Sequence, residues 1–284
     1  GREGPSLSIA SAPRGVRMTV AGLSLIAGLG LAPARGQDAK ADMGGAYWKT
    51  AASGYRISGE TEPERPWKLR EEPILRWSNP VRKTGDGAVF VWTDRGRPEV
   101  VASFYRYGPE EDLSEDHEFM SLATTPLRAE RDGLQPWTPT VGGVVSKPIP
   151  NAAAPAANAA GRLRQMRALA REFKANFNNP PDQSEIRLLT QPIYRFEIPE
   201  PRPDLLDGAL FAFVHTTDPE VLLLIEAVRT DGGSVRWYYA LARMSMVSLR
   251  VQHKDREVWS AEWDTDIKNP AKPYMSRTVL GRGR

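Results

Sequence analysis

The sequence predicts a mainly β fold with one long helix: an internally duplicated antiparallel β-sandwich or barrel with pseudo-two-fold symmetry. The first observation is a set of matches in one order. Pro73-Ile74-Leu75-Arg76-Trp77 recurs as Pro192-Ile193-Tyr194-Arg195-Phe196, and Asp86-Gly87-Ala88-Val89-Phe90 as Asp207-Gly208-Ala209-Leu210-Phe211. Pro98-Glu99-Val100 recurs as Pro219-Glu220-Val221, and Leu127-Arg128 with Trp137 as Leu249-Arg250 with Trp259. The offsets of 119, 121, 121 and 122 drift by only three residues, which points to two copies of a unit of roughly 65 to 70 residues. The second observation is that β-branched and aromatic runs joined by turn residues fill both copies. The third is that a single segment, between the copies, has helical spacing.

Taken in order, Arg14 and Arg17 precede an apolar run, Met18–Ala32, with a small-residue exit at Ala34-Arg35-Gly36. That pattern predicts a signal peptide over residues 1–36, and the run is short of the ~20 residues a membrane span needs. Residues 37–66 are polar and Gly-rich and predict a flexible segment. Repeat 1 is assigned to residues 67–137, where Gly87–Thr93 and Glu99–Tyr107 flank Asp94-Arg95-Gly96-Arg97 as a hairpin. Further strands are expected at Glu118–Thr125 and Leu127–Glu130. Residues 138–186 combine a Pro/Ala-rich linker with a helix at 161–177, on which Leu163, Met166, Leu169, Phe173 and Phe177 share a face. Repeat 2 is assigned to 187–263; apolar residues occupy both alternation phases in Gly208–Phe213 and Val221–Val228, so these strands should be covered on both faces. Residues 264–284 predict a basic disordered tail.

The leader carries the excess charge. Without residues 1–36 the chain holds 34 basic and 34 acidic residues, so the pI of 9.1 gives no support for nucleic-acid binding. With no cysteine there is neither a disulfide nor a thiolate metal site. Export, to the periplasm or beyond the cell, with no transmembrane segment after processing, is the expected localisation.

No phosphate loop, dinucleotide fingerprint, nucleophile elbow or zinc-protease pattern is present, and no cofactor is expected. His117, His215 and His253 are not at metal-ligand spacing and read as surface or hairpin-end residues. An acidic run contains Glu110, Glu111, Asp112, Glu115, Asp116 and Glu118; Glu111, Asp112 and Asp116 are candidate Ca²⁺ ligands, although a solvated loop that deters edge pairing accounts for the run without a metal. Trp92, Tyr105 and Tyr107, with Arg128 and Arg250, are candidate ligand contacts, the aromatic rings forming a sugar or peptide platform. Core packing of the aromatics is the competing account. The recurring arginines also have a structural one, as partners of Asp86 and Asp207 or of Glu99 and Glu220.

The strings LRWSNPV, GAVFVWTDRGRPEVVAS, LRQMRALAREF, DGALFAFVHTTDPEVLLLIEA and YYALARMS, spread over about residues 67–263, resemble a group of exported hypothetical proteins of unknown function found in planctomycete-type bacteria. The resemblance implies bacterial origin and export and carries no activity with it. Two functions remain. One is a non-catalytic binding or structural module of the periplasm or envelope, with a polysaccharide or an envelope protein as partner. The other is an extracytoplasmic carboxylate-dependent hydrolase acting on glycan or peptide. The lack of any catalytic pattern favours the first; Glu118 in a cleft, opposite a second acid and between aromatic walls, would favour the second. The oligomeric state is left open.

Overall fold

The computed structural model describes residues 45–82, 84–107, 114–199 and 202–279. The expected signal peptide, and Glu110, Glu111 and Asp112 of the acidic run, lie outside these residues.

The chain is mainly β. Helix α1 (45–53) leads into β1 (Arg56–Gly59), β2 (Lys68–Leu69), β3 (Leu75–Asn79), the long hairpin β4 (Thr84–Asp94) and β5 (Arg97–Tyr107), then β6 (Ser114–Ser121) and β7 (Leu127–Glu130). After a crossing segment with β8 (Lys147–Pro148), helix α2 (Ala159–Ala170) leads into β9 (Phe173–Phe177), β10 (Glu185–Leu188), β11 (Tyr194–Arg195), the hairpin β12 (Leu205–His215) and β13 (Asp218–Arg229), β14 (Val235–Arg243), β15 (Leu249–His253) and β16 (Arg256–Ala261). Strand β17 (Tyr274–Val279) closes the described chain.

Several pairings recur in the two runs of elements, although β1 and β7 form a two-stranded sheet of their own whereas β9, β10, β15 and β16 are continuous with the sheet of β12–β14. Leu69 faces Trp92 and Leu188 faces Phe213; Trp77 faces Gly87, and Phe196 N–H bonds the Gly208 carbonyl; Ile57 faces Ala129 and Ala175 faces Val251; Trp137 bridges Ala129 and Trp259 pairs with Val251. Both of those glycines are required. A Cβ on Gly87 would lie 2.3 Å from the Trp77 ring, and one on Gly208 would lie 2.3 Å from the Phe196 ring. The edges are exchanged: β8, which follows the first run, pairs with β14 of the second, while β17, which follows the second, pairs with β6 of the first.

Hairpin turns follow from local chemistry. Arg95 and Gly96 (φ 47 and 84) and Lys254 and Asp255 (φ 48 and 65) supply the two positive-φ positions of turns whose twist matches the flanking strands. The strands of β4–β6 and β12–β14 alternate between two cores. One face of each hairpin sheet packs under its own helix: Trp48 of α1 over Phe90, Phe104 and Phe119, and Met166 of α2 over Phe211, Phe213 and Leu223. The other faces meet at a shared seam, where Val89, Val91, Val101 and Leu122 pack on Leu210, Ala212, Leu222 and Leu224. Double-sided burial therefore explains the unbroken apolar runs of β12 and β13.

Four sequence expectations need correction. Among the described residues there are two α-helices rather than one long one. The second stops at Ala170, because Phe173, Ala175 and Phe177 take up period-2 burial and pair with β15, which outweighs their fit to a helical stripe. Residues 45–66, expected to be flexible, contain α1 and β1, held by the buried Trp48, Tyr55 and Ile57. Residues 274–279, expected in a disordered tail, form β17. Among the described residues no helix is long and apolar enough to cross a membrane.

Candidate active-site cleft at one end of the seam

On the seam face of the first sheet, side chains at Asp116, Glu118 and Met120 follow one another along one side of β6, and Leu122, just past its end, continues the row. Met120 and Leu122 lie in the apolar seam, and beyond them the row turns acidic. Across the ladder, Glu118 stands between Ser103 of β5 and Ser276 of β17, and Asp116 between Tyr105 and Thr278. The seam opens here into a cleft of about 470 Å³, within the size range of small-molecule sites, lined by Trp77, Tyr105, Tyr107, Tyr274 and Trp263 together with Asp116, Glu118 and Asp218. Asp218 begins β13 of the facing sheet, so acids approach the cleft from both walls. Its Oδ2 accepts a hydrogen bond from Asn79 Nδ2 at 3.1 Å.

The aromatic wall is held firmly. Trp77 Nε1 donates to Ser103 Oγ at 2.9 Å, and the Trp77 and Tyr105 ring centroids are 5.2 Å apart. Tyr274 donates a short hydrogen bond to Glu118 Oε1, and the Arg243 guanidinium lies 5.2 Å from the Tyr274 ring. The Arg243 donors are engaged by the carbonyls of Ser245, Val247 and Glu262.

Glu118 is 7% exposed. Burial, reinforced by the fields of Asp218, Glu220 and Asp116, lifts its carboxyl well above the usual range, against the bond from Tyr274. Burial also raises Asp116, and burial followed by the neighbouring acids raises Tyr105 and Tyr274. Asp116 Oδ1 is shut off from solvent without a hydrogen-bond partner.

The other end of the seam is closed. There Arg97, buried, donates to Glu226 Oε1 at 2.8 Å, to Glu99 Oε2 at 3.0 Å and to the Leu122 carbonyl at 3.1 Å. Burial alone would lower the Arg97 pKa, but Glu226 and Glu99 outweigh it and keep the guanidinium charged. Burial pushes Glu99 up to about 7 despite Arg97.

Of the residues singled out from the sequence, Tyr105, Tyr107 and Asp116 come together in the cleft. Trp92 does not: it is 1% exposed in the core beneath α1. Arg128 is on β7, exposed and paired with Glu130 at 2.6 Å, and Arg250 is on β15 opposite Ser260; neither reaches the cleft. Asp116 is on a strand rather than in an acidic loop, and among the described residues no group of three His, Asp or Glu side chains is placed to hold a metal. The expected Arg195–Asp207 pair forms, with Arg162 of α2 as a second partner at 2.7 Å. Asp86 accepts a hydrogen bond from Trp48 Nε1 at 2.8 Å. His117 is not a surface residue; it is fully buried, bonded to Tyr55 and Glu115 at 2.7 Å each. Asp218, Tyr274 and Trp263 were missed by sequence reasoning. Only the Asp218 position carried a signal, as the place in the second hairpin that Arg97 holds in the first.

A broader depression of about 910 Å³ near Lys68, Arg70, Arg95 and Tyr194 is crossed by an exposed Arg70–Glu197 pair at 2.6 Å and offers no comparable cluster. No family model, curated protein or solved structure matches the chain.

Proposed function

We propose that the chain is an exported bacterial protein that arose by internal duplication, and that its cleft binds and hydrolyses a glycan, with Glu118 as proton donor. The observation that carries the reading is Glu118 itself: a buried carboxyl, shifted by its surroundings toward the protonated form, in an aromatic-walled cleft with Asp218 on the opposite wall. Aromatic faces suit the apolar faces of sugar rings, and serines and acids suit their hydroxyls. In the step we envisage, Glu118 gives its proton to the bridging oxygen as the glycosidic bond breaks. The facing acid, Asp218, takes a proton from the attacking water. Tyr274 occupies Oε1 of Glu118 and leaves the other oxygen to carry the proton.

Duplication is supported by the matched registers, the paired glycines and the exchanged edge strands. The departure of the two seam ends from each other is what a duplicated scaffold permits, since one end can remain a structural ion pair while the other acquires chemistry. A second reading, a non-catalytic envelope binding module, is favoured by the small exposure of Glu118. A panel of glycan and cell-wall substrates separates the two. Hydrolysis that disappears in Glu118→Gln, with the fold retained by circular dichroism, supports the enzyme. Binding without turnover, equal in both proteins, supports the module.

A further inference from the structure

Resting on the reading of the cleft as a glycan site, we infer that the glycan is acidic: an oxyanion substituent on one sugar, a carboxylate or a sulfate ester, is held by Arg277 and Lys268 in a side pocket that adjoins the cleft. The pocket, of about 250 Å³, lies at the edge strand β17 and is lined by Gln135, Lys268, Pro270, Met275, Arg277 and Thr278. It holds two cationic side chains, an amide and a hydroxyl, and no carboxyl group. Lys268 and Thr278 also line the cleft, so sugars lying in the cleft can carry a substituent into the pocket. The negative charge belongs there and not in the cleft, whose walls carry Asp116 and Asp218.

Arg277 lacks the acid partner that Arg97, Arg162 and Arg195 each have. It donates to the Gln135 carbonyl at 2.6 Å and to Met275 Sδ, a weak acceptor, at 3.2 Å, and its Nε is buried with no acceptor. Its neighbour is a second guanidinium, that of Arg131, 5.2 Å from the Tyr55 ring centroid. Among the described residues neither has a carboxylate within ion-pair distance, and Glu115, on the same face of β6, is taken up by His117 and Tyr47. Burial, and Arg131 with it, disfavour the charged form of Arg277 against the opposing field of Tyr55. A guanidinium does not give up its proton, so an incoming oxyanion offsets a cost that the unliganded protein carries. The backbone adds a donor. Ser276 N–H points out of the sheet edge to the Ile267 carbonyl at 2.8 Å, and Thr278, two residues on, turns its N–H to the same side.

The test uses the purified chain and five probes in calorimetric titrations at low salt. These are oligogalacturonate and its methyl ester, a sulfated galactan oligomer and its desulfated form, and inorganic sulfate. One acidic oligomer or both should bind about 10-fold or more tightly than the neutral counterpart, with the advantage shrinking at high salt. The pair that responds tells carboxylate from sulfate ester. Arg277→Gln, checked for fold by circular dichroism, should lose most of that advantage. Lys268→Ala, on the exposed rim, should reduce it about two- to threefold and decides alone if Arg277→Gln does not fold. Arg128→Gln, an exposed arginine outside the cleft, should leave it unchanged. Equal affinity within both pairs, preference for the neutral forms, or an advantage that survives both substitutions overturns the acidic-ligand inference and leaves the glycan reading standing. Sulfate binding that is lost in Arg277→Gln, with no oligomer bound, keeps the anion pocket and removes the glycan. Absence of binding by all five overturns both.

Discussion

Glu118 and Glu99 are both buried seam acids with raised pKa values, and they differ in what surrounds them. Glu99 shares Arg97 with Glu226; Glu118 has Tyr274 and further acids. A carboxyl whose folded pKa is raised contributes stability that is complete below the unfolded value and is lost as pH rises through the folded one. For Glu99 that window runs from about 4.5 to about 7. Glu99→Gln should therefore lose stability less steeply than the parent across that window, as read from urea midpoints at several pH values. Comparison with the parent matters because His117, lowered by burial, acts in the opposite sense as pH falls. Arg97→Met should cost about 3–5 kcal/mol, because it leaves two acids buried around an empty centre. If Arg97→Met were neutral in denaturant unfolding, the closed end of the seam would not be the tie described above.

Among the elements, the two hairpins were readable from the sequence because turn chemistry and strand composition agreed. The helix boundary was not. Phe173 and Phe177 satisfy both a 3.6-residue and a 2-residue period, and only pairing with β15, far along the chain, decides between them. Similarly, α1 is short and its first-turn sequence carries no strong signal; Trp48, buried over the first sheet, holds it in place. Phe173→Ala should cost about 3–5 kcal/mol, whereas Arg164→Ala, on the exposed face of α2, should stay within about 0.5 kcal/mol. The glycines under the rings make a paired prediction. Gly87→Ala and Gly208→Ala should each destabilise by about 1–3 kcal/mol through overpacking against Trp77 and Phe196. If thermal unfolding showed only one of them to be sensitive, the ring-over-glycine contact would not be equivalent in the two runs.

At the scale of the molecule, the seam joins the two sheets through Val, Leu and Ala side chains that neither could leave in water, and β8 and β17 cross between them. Residues 45–150 and 151–284 produced as separate chains should accordingly associate when mixed, and each alone should aggregate or remain partly unfolded. Two monodisperse, folded, non-associating pieces in light scattering would contradict the shared core. The mainly β class could be read from the recurring motifs, and part of the cleft could be as well, since Tyr105, Tyr107 and Asp116 were singled out. The rest depends on the facing of two sheets: nothing local to Asp218 or Tyr274 says that they meet Glu118, and nothing local to Trp92 says that it lies in the core.

A proton-donor role requires Glu118 to hold its proton in the cleft. A carbon-13 NMR titration of glutamate side-chain carboxyls, with Glu118→Gln to assign the resonance, measures this directly. A Glu118 resonance that changes only well above the pH range of ordinary carboxylates is the expected result. A Glu118 carboxyl that titrates with them would contradict the proton-donor role and the cleft chemistry built on it.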